Sequence, residues 1–165
     1  MEATGAKSHR GNNNEIAISK AKQKALAMLS FRAYFKAGLL CELKKEYGES
    51  VSSKVLSRLE ELGIVNDLEL SKRYATELAE KKGFSNSKIK SELIKKGVSE
   101  DLVISCMSEF ADRDSTKEIT NILESKFAAF RKDKKVLGRA LNFVSRRGYT
   151  WEEIQDATDA ISEDF

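Results

Sequence analysis

Proline is missing from all 165 residues, histidine occurs once, cysteine twice, and the nine glycines are scattered singly. Each shortage removes a class of protein. Without proline nothing interrupts the i to i−4 hydrogen-bond ladder, and the dominant Ala, Leu, Glu, Lys, Ser and Ile point to helix, so the expected class is all-α. His9, the only imidazole, lies in a polar stretch, so neither a Ser/His/Asp triad nor a histidine-based metal site can be assembled. The glycines spell no GxGxxG and no GxxxxGK[ST], so no phosphate-cradling loop, nucleotide site or cofactor is expected. Cys41 and Cys106 sit far apart inside apolar helical runs, with no CxxC and no secretory apolar region. They read as reduced core thiols of a cytoplasmic protein. No apolar run approaches the roughly 20 residues that cross a bilayer.

What is present is a chain long enough for one ordinary domain, with 41% hydrophobic residues and a core that could bury roughly 70% of the unfolded surface. Its 29 basic and 26 acidic residues leave a net charge of +3, too small to prove a polyanionic partner. Residues 1–15 carry almost no large apolar side chain and are expected to form a flexible tail. From Ile16 onward apolar residues recur at helical spacing: Ala25, Leu26 and Leu29; Leu39, Leu40 and Leu43; Val55, Leu56, Leu59 and Leu62. Gly48 and Ser50 break the second run, and Gly63 ends the third. Asn66 or Asp67 then caps a helix bearing Leu70, Tyr74, Ala75 and Leu78, and short helices follow over 85–97 and 99–110. The last third repeats this plan through Ile119, Leu123, Phe127 and Phe130, then Leu137, Leu141 and Val144, then Ile154 and Ile161. The pattern predicts nine helices in three tandem three-helix repeats, over 16–66, 67–113 and 114–165, at a period of about 45–50 residues. An elongated, curved helical array built by one monomer is expected.

The repeat has a signature. "KKGFSN" at 81–86, "KKGVSE" at 95–100 and "RRGYTW" at 146–151 share a basic doublet, a glycine, an apolar residue and a Ser or Thr. Glycine suits the left-handed residue that ends a helix, the apolar residue can act as a staple, and Ser or Thr caps the next helix. Thr150 with Glu153 spells a capping box. The doublets also suit a last helical turn, where cations meet the negative end of the macrodipole. Carboxylates pair with lysines at helical spacing, as in Glu77 with Lys81 and Glu92 with Lys96, which reads as solvated surface and not as a catalytic pair. Trp151 reads as a half-buried anchor, with an aromatic platform for a base as the alternative.

Charge is distributed unevenly. No acidic residue falls between Lys134 and Trp151, a span that contains Lys134, Lys135, Arg139, Arg146 and Arg147. Lys135, Arg139 and Arg146 share one helical face, opposite Leu137, Leu141 and Val144. Lys126, Arg131 and Lys132 extend the basic character backward. Lys88 and Lys95, seven apart, form a weaker stripe one repeat earlier, and Lys82 belongs to the first doublet. Such a stripe suits a phosphate backbone or an acidic protein groove, and equally the solvated face of a basic protein. Gly138 in the same helix implies close helix packing or close approach of a partner.

Taken together, "ND…L…Y" at 66–74, "KKGFSNSKIKSELIKKGVSED" at 81–101 and "RRGYTWEEI" at 146–154 resemble the RecX family of bacterial recombination regulators over about residues 20–165. Asp67, Gly83, Ile89, Leu93, Gly97 and Val98 fall where that family places Asp, Gly, an aliphatic residue, Leu, Gly and an aliphatic residue. The first repeat departs from the pattern, with Phe35 and Gly38 where a Ser cap and a Glu usually stand. The resemblance implies a protein without enzymatic activity of its own. Such a protein binds the RecA filament on single-stranded DNA, with weak binding to single- and double-stranded DNA alone, and lowers RecA's ATP hydrolysis, filament extension and strand exchange in DNA repair and the SOS response. Two other readings compete. A stand-alone helix-turn-helix DNA-binding protein would have to read bases with helices 99–110 and 150–162, which carry Glu100, Asp101, Glu152 and Glu153. A helical scaffold for another protein partner would show no affinity for nucleic acid.

Overall fold

The computed structural model describes the backbone over residues 6–129 and 132–163 and the side chains over 13–129 and 132–161. Among these residues the chain is all helical: α1 (Ala6–Phe31), α2 (Lys36–Glu61), α3 (Asp67–Glu80), α4 (Asn86–Lys95), α5 (Glu100–Met107), a 3-10 turn (Ser108–Phe110), α6 (Ser115–Lys126), α7 (Lys134–Ser145) and α8 (Trp151–Glu163). α2 is broken at Gly48, where φ is 72° and ψ 174°, so it comprises two successive rods, as the expected break there requires. With these two rods counted separately, the described residues hold nine α-helical segments.

α1 starts at Ala6, ten residues before the expected helical start at Ile16. Apolar spacing could not show this, since residues 13–16 are all exposed. Once Ile18, Ala21 and Ala25 anchor the helix, each added residue gains a hydrogen bond without a new nucleation penalty. Residues 1–5 lie outside the described residues.

The chain forms two compact bodies. The first takes the residues up to Leu70 together with Lys96–Val98. In it α1 packs along α2, and Ala21, Ala25, Leu39, Leu43, Val55, Leu56, Leu59 and Val65 form the core. Each large aliphatic side chain removed from water there contributes roughly 1.5–3 kcal/mol. Phe35, which replaces the expected Ser, is the residue before α2 and makes no side-chain cap bond. The cap comes from elsewhere: the Lys36 amide donates to Asp67 Oδ1 at 2.8 Å. Burial pushes the Asp67 carboxyl above its usual range, against the opposing pull of that amide. Asn66 caps α3 instead, accepting from the Glu69 amide at 3.1 Å. The alternative left open between Asn66 and Asp67 thus resolves into two caps for two helices. Cys41 is exposed, which corrects the expectation of a core thiol there; on the amphipathic α2 the buried face belongs to Leu39 and Leu43.

The second body holds Ser71–Lys95 and the residues from Ser99 on. Here α4 packs on α5, and α6 and α7 on α8. Ala75, Leu78, Ile89, Leu93, Val103, Cys106 and Met107 are buried. A second core joins Ile119, Leu123, Ala140, Val144, Tyr149, Ile154, Ala157 and Ile161. Trp151 is 67% exposed, so it is not the half-buried anchor expected. It stands at the first position of α8, where Ile154, Ala157 and Ile161 supply the buried face.

Candidate basic interface

The third signature corner is held by the first. The Ser85 amide donates to Arg147 O at 3.0 Å, and the Ser85 hydroxyl donates to Gly148 O at 2.7 Å while accepting from the Lys88 amide at 3.2 Å. Arg147 Nε returns a bond to Lys82 O at 2.7 Å. A Cβ on Gly148 would stand 2.7 Å from Lys88 Cβ and 2.8 Å from Ser85 Oγ, so the two corners touch through a position that tolerates only hydrogen. The second corner does the same in the first body: a Cβ on Gly97 would stand 2.4 Å from Ala37 Cβ. Ala37 and Lys88, like Gly97 and Gly148, are 51 positions apart, and both lie in the first turn of their helices, α2 and α4. One packing rule is thus used twice. The capping box also forms, with the Glu153 amide donating to Thr150 Oγ1 at 3.2 Å and the Thr150 amide to Glu153 Oε2 at 2.7 Å. Ser99 precedes α5 but makes no side-chain cap bond.

These contacts sort the basic candidates. Lys135, Arg139 and Arg146 are exposed along one side of α7 and its C-cap, with Ala140 and Val144 buried on the other, and Lys134 is exposed at the first position of the helix. Asp133 caps the helix, accepting from the Lys135 amide at 2.7 Å, and Arg146 Nε donates to Asn142 O at 3.3 Å. Gly138 is exposed too, and a Cβ there would meet nothing within 4 Å among the described residues, so it is not packed closely against another described helix. Arg147 turns the other way. It is half-buried, its Nη1 donates to Phe143 O at 3.3 Å, and its guanidinium lies 3.3 Å from the centre of the Phe143 ring. Burial lowers its affinity for the proton relative to an ordinary arginine.

The earlier stripe is less uniform. Lys88 is half-buried beneath Gly148, with its ammonium 6.0 Å from the Phe84 ring; Lys82 is exposed, 5.8 Å from the same ring. Lys95 is exposed and pairs with Glu92 at 3.0 Å, three positions back, where Lys96 was the expected partner. Lys132 is exposed, and Arg131 lies outside the described residues.

Sequence reading missed a polar cluster beside these corners. Arg113 grips Glu118 with two bonds of 2.7 Å and donates to Asn86 Oδ1 at 2.7 Å and Phe84 O at 3.1 Å. Asn86 donates to Phe110 O at 2.8 Å, and the Tyr149 hydroxyl donates to Glu118 Oε2 at 2.9 Å. Burial, followed by the Glu118 charge, pushes the Tyr149 hydroxyl well above the usual tyrosine range. Each of the three Arg113 nitrogens faces an acceptor here, so the cluster braces the corner. Among the described residues no group of three or more His, Cys, Asp or Glu could hold a metal ion, and no helix is long and apolar enough to cross a membrane.

The fold is therefore an all-helical one whose corners carry outward-facing cations. No family profile matches the chain, but individual relatives do. A regulatory protein RecX of Pelodictyon phaeoclathratiforme is 32% identical over 139 residues, 81% of this chain and 83% of its own. Those of Chlorobium phaeobacteroides and Mycolicibacterium smegmatis are 25% and 28% identical, covering 86% and 79% of this chain and 93% and 73% of theirs. The crystal structure of RecX from Lactobacillus salivarius superposes with a TM-score of 0.77 at 17% identity, over 90% of this chain and 98% of that one. A crystal structure of regulatory protein RecX gives 0.78 at 14% identity, over 96% and 79%. The chain belongs to the RecX family of regulatory proteins.

Proposed function

We propose that this protein binds the RecA filament assembled on single-stranded DNA and restrains it, lowering RecA's ATP hydrolysis, filament extension and strand exchange without chemistry of its own. The observation that carries the reading is the exposed basic stripe of Lys135, Arg139 and Arg146 along α7, with Lys134 exposed at its start, in a member of this regulatory family. Exposed cations on a rigid helix meet phosphate or acidic protein surface at little ordering cost and steer encounter electrostatically. Lys82, Lys88, Lys95 and Lys132 add a lesser contribution. The ATPase is RecA's, and the contact is made by a monomer.

Retention of the protein on RecA filaments formed on immobilised single-stranded DNA tests the reading. Binding is expected to filament more tightly than to the bare strand, and to weaken with salt. Reversing Arg139 and Arg146 to Glu should lower filament affinity by about tenfold or more and flatten the salt dependence. Unchanged affinity and salt dependence in that double variant would make α7 an ordinary surface. Tight, sequence-selective duplex binding without RecA would favour the helix-turn-helix reading instead.

A further inference from the structure

The second body contains an open cleft of about 230 Å³ that the α7 surface does not include. Glu80 at the end of α3, Lys81 and Lys82 of the first corner, Ser125 and Lys126 of the last turn of α6, and Arg147 line it. Four cations from three segments thus face one carboxylate. Lys81 leans toward Glu77 at 3.4 Å, and the Lys126 ammonium lies 5.3 Å from the Phe143 ring that already carries Arg147.

Arg147 is the unusual member. Arg113, the other half-buried arginine among the described residues of this body, has its charge matched by the two oxygens of Glu118. Arg147 has two carbonyls and a ring, and among the described residues no carboxylate pairs with it. The carbonyls and ring fix the guanidinium plane and leave its charge uncompensated, an arrangement that favours an incoming anion. The spread of cations over three segments suits a tetrahedral oxyanion that accepts bonds from several directions. A flat carboxylate suits a single guanidinium fork, as Arg113 grips Glu118 with Tyr149 adding one further bond. Among the described residues the lining contains no aromatic side chain on which a base could stack.

We propose that this cleft binds a backbone phosphate of a nucleic-acid strand, without sequence preference, through Lys81, Lys82, Lys126 and Arg147. The inference rests on the filament reading only for which strand supplies the phosphate. Fluorescence anisotropy of a labelled twelve-thymidine oligonucleotide with the full chain, across a salt series, tests it. Lys126→Glu and Lys82→Glu, both at exposed positions, should each weaken binding about tenfold and lower the slope of log K against log salt by about 0.7 or more. Lys54→Glu, the same charge change at an exposed site on α2, should change affinity by less than about threefold. A methylphosphonate strand of the same sequence, which lacks backbone charge, should not bind.

Three results would overturn the proposal: cleft variants that match the wild type in affinity and slope, a methylphosphonate strand that binds as well as the natural one, or an oligoglutamate peptide of equal charge that displaces the strand as effectively as unlabelled oligonucleotide does. The same variants in a RecA ATPase assay separate the two readings. Cleft variants that retain wild-type strand binding refute the cleft whether or not the protein inhibits RecA. Cleft variants that lose strand binding support it even if wild-type protein leaves RecA unaffected, the result that refutes the filament reading alone.

Discussion

Among single residues, Tyr149 links the core to charge. Its ring is buried with Ile119 and Ile154, and its hydroxyl meets a carboxylate already held by Arg113. Tyr149→Phe keeps the ring and removes one bond to a charged acceptor, so a loss of about 1–2 kcal/mol is expected at neutral pH from denaturant unfolding. The pH dependence carries the same signature. The folded hydroxyl holds its proton to higher pH than in the unfolded chain, where a tyrosine titrates near 10. Above that pH the unfolded state binds fewer protons than the folded one, so stability falls as pH rises from about 10 toward the folded value. Tyr149→Phe should make that alkaline decline shallower, though not abolish it, because Tyr47 and Tyr74 are shifted in the same direction. An alkaline limb identical in the two proteins would contradict the assignment. The apolar half of Tyr149 was legible, since it follows a corner glycine as Phe84 and Val98 do. Its hydroxyl was not, because Glu118 lies 31 positions away and no periodicity links the two.

At the level of elements, the corners were legible as punctuation but not as contacts. Spacing placed the glycines, and the helices end as expected at Gly63, Gly83, Gly97 and Gly148, all with positive φ. What spacing could not express is that two of these glycines have a second duty. Gly63 and Gly148 have similar φ, 68° and 87°, yet a Cβ on Gly63 would meet nothing within 4 Å, whereas one on Gly148 would meet Lys88 and Ser85 below 3 Å. Gly63→Ala should therefore lose only the cost of a left-handed alanine, about 1 kcal/mol, and Gly148→Ala about 1–3 kcal/mol more from the forced separation of the two corners. Equal losses in chemical denaturation would remove the case for corner-to-corner packing. The basic doublets divide in the same way. Arg146 stays outward at the end of α7, while Arg147 turns inward onto Phe143 and Lys82 O, a distinction invisible to a charge count. The stripe of Lys135, Arg139 and Arg146 was fully legible because helical periodicity alone places it.

For the molecule as a whole, composition correctly conveyed the helical class. The family came from motif spacing, in a chain whose curated relatives share only a quarter to a third of its residues. The near balance of 29 basic and 26 acidic residues conceals the segregation on which the functional reading depends. The central claim is that this segregated charge serves restraint of a RecA filament. It is tested most directly by measuring single-stranded-DNA-dependent ATP hydrolysis by RecA from the same source while this protein is titrated from well below one per RecA protomer to several-fold excess. The account predicts a progressive fall in hydrolysis that added salt relieves and that Arg139→Glu with Arg146→Glu weakens. A rate unchanged throughout the titration, from protein that remains folded, would contradict it.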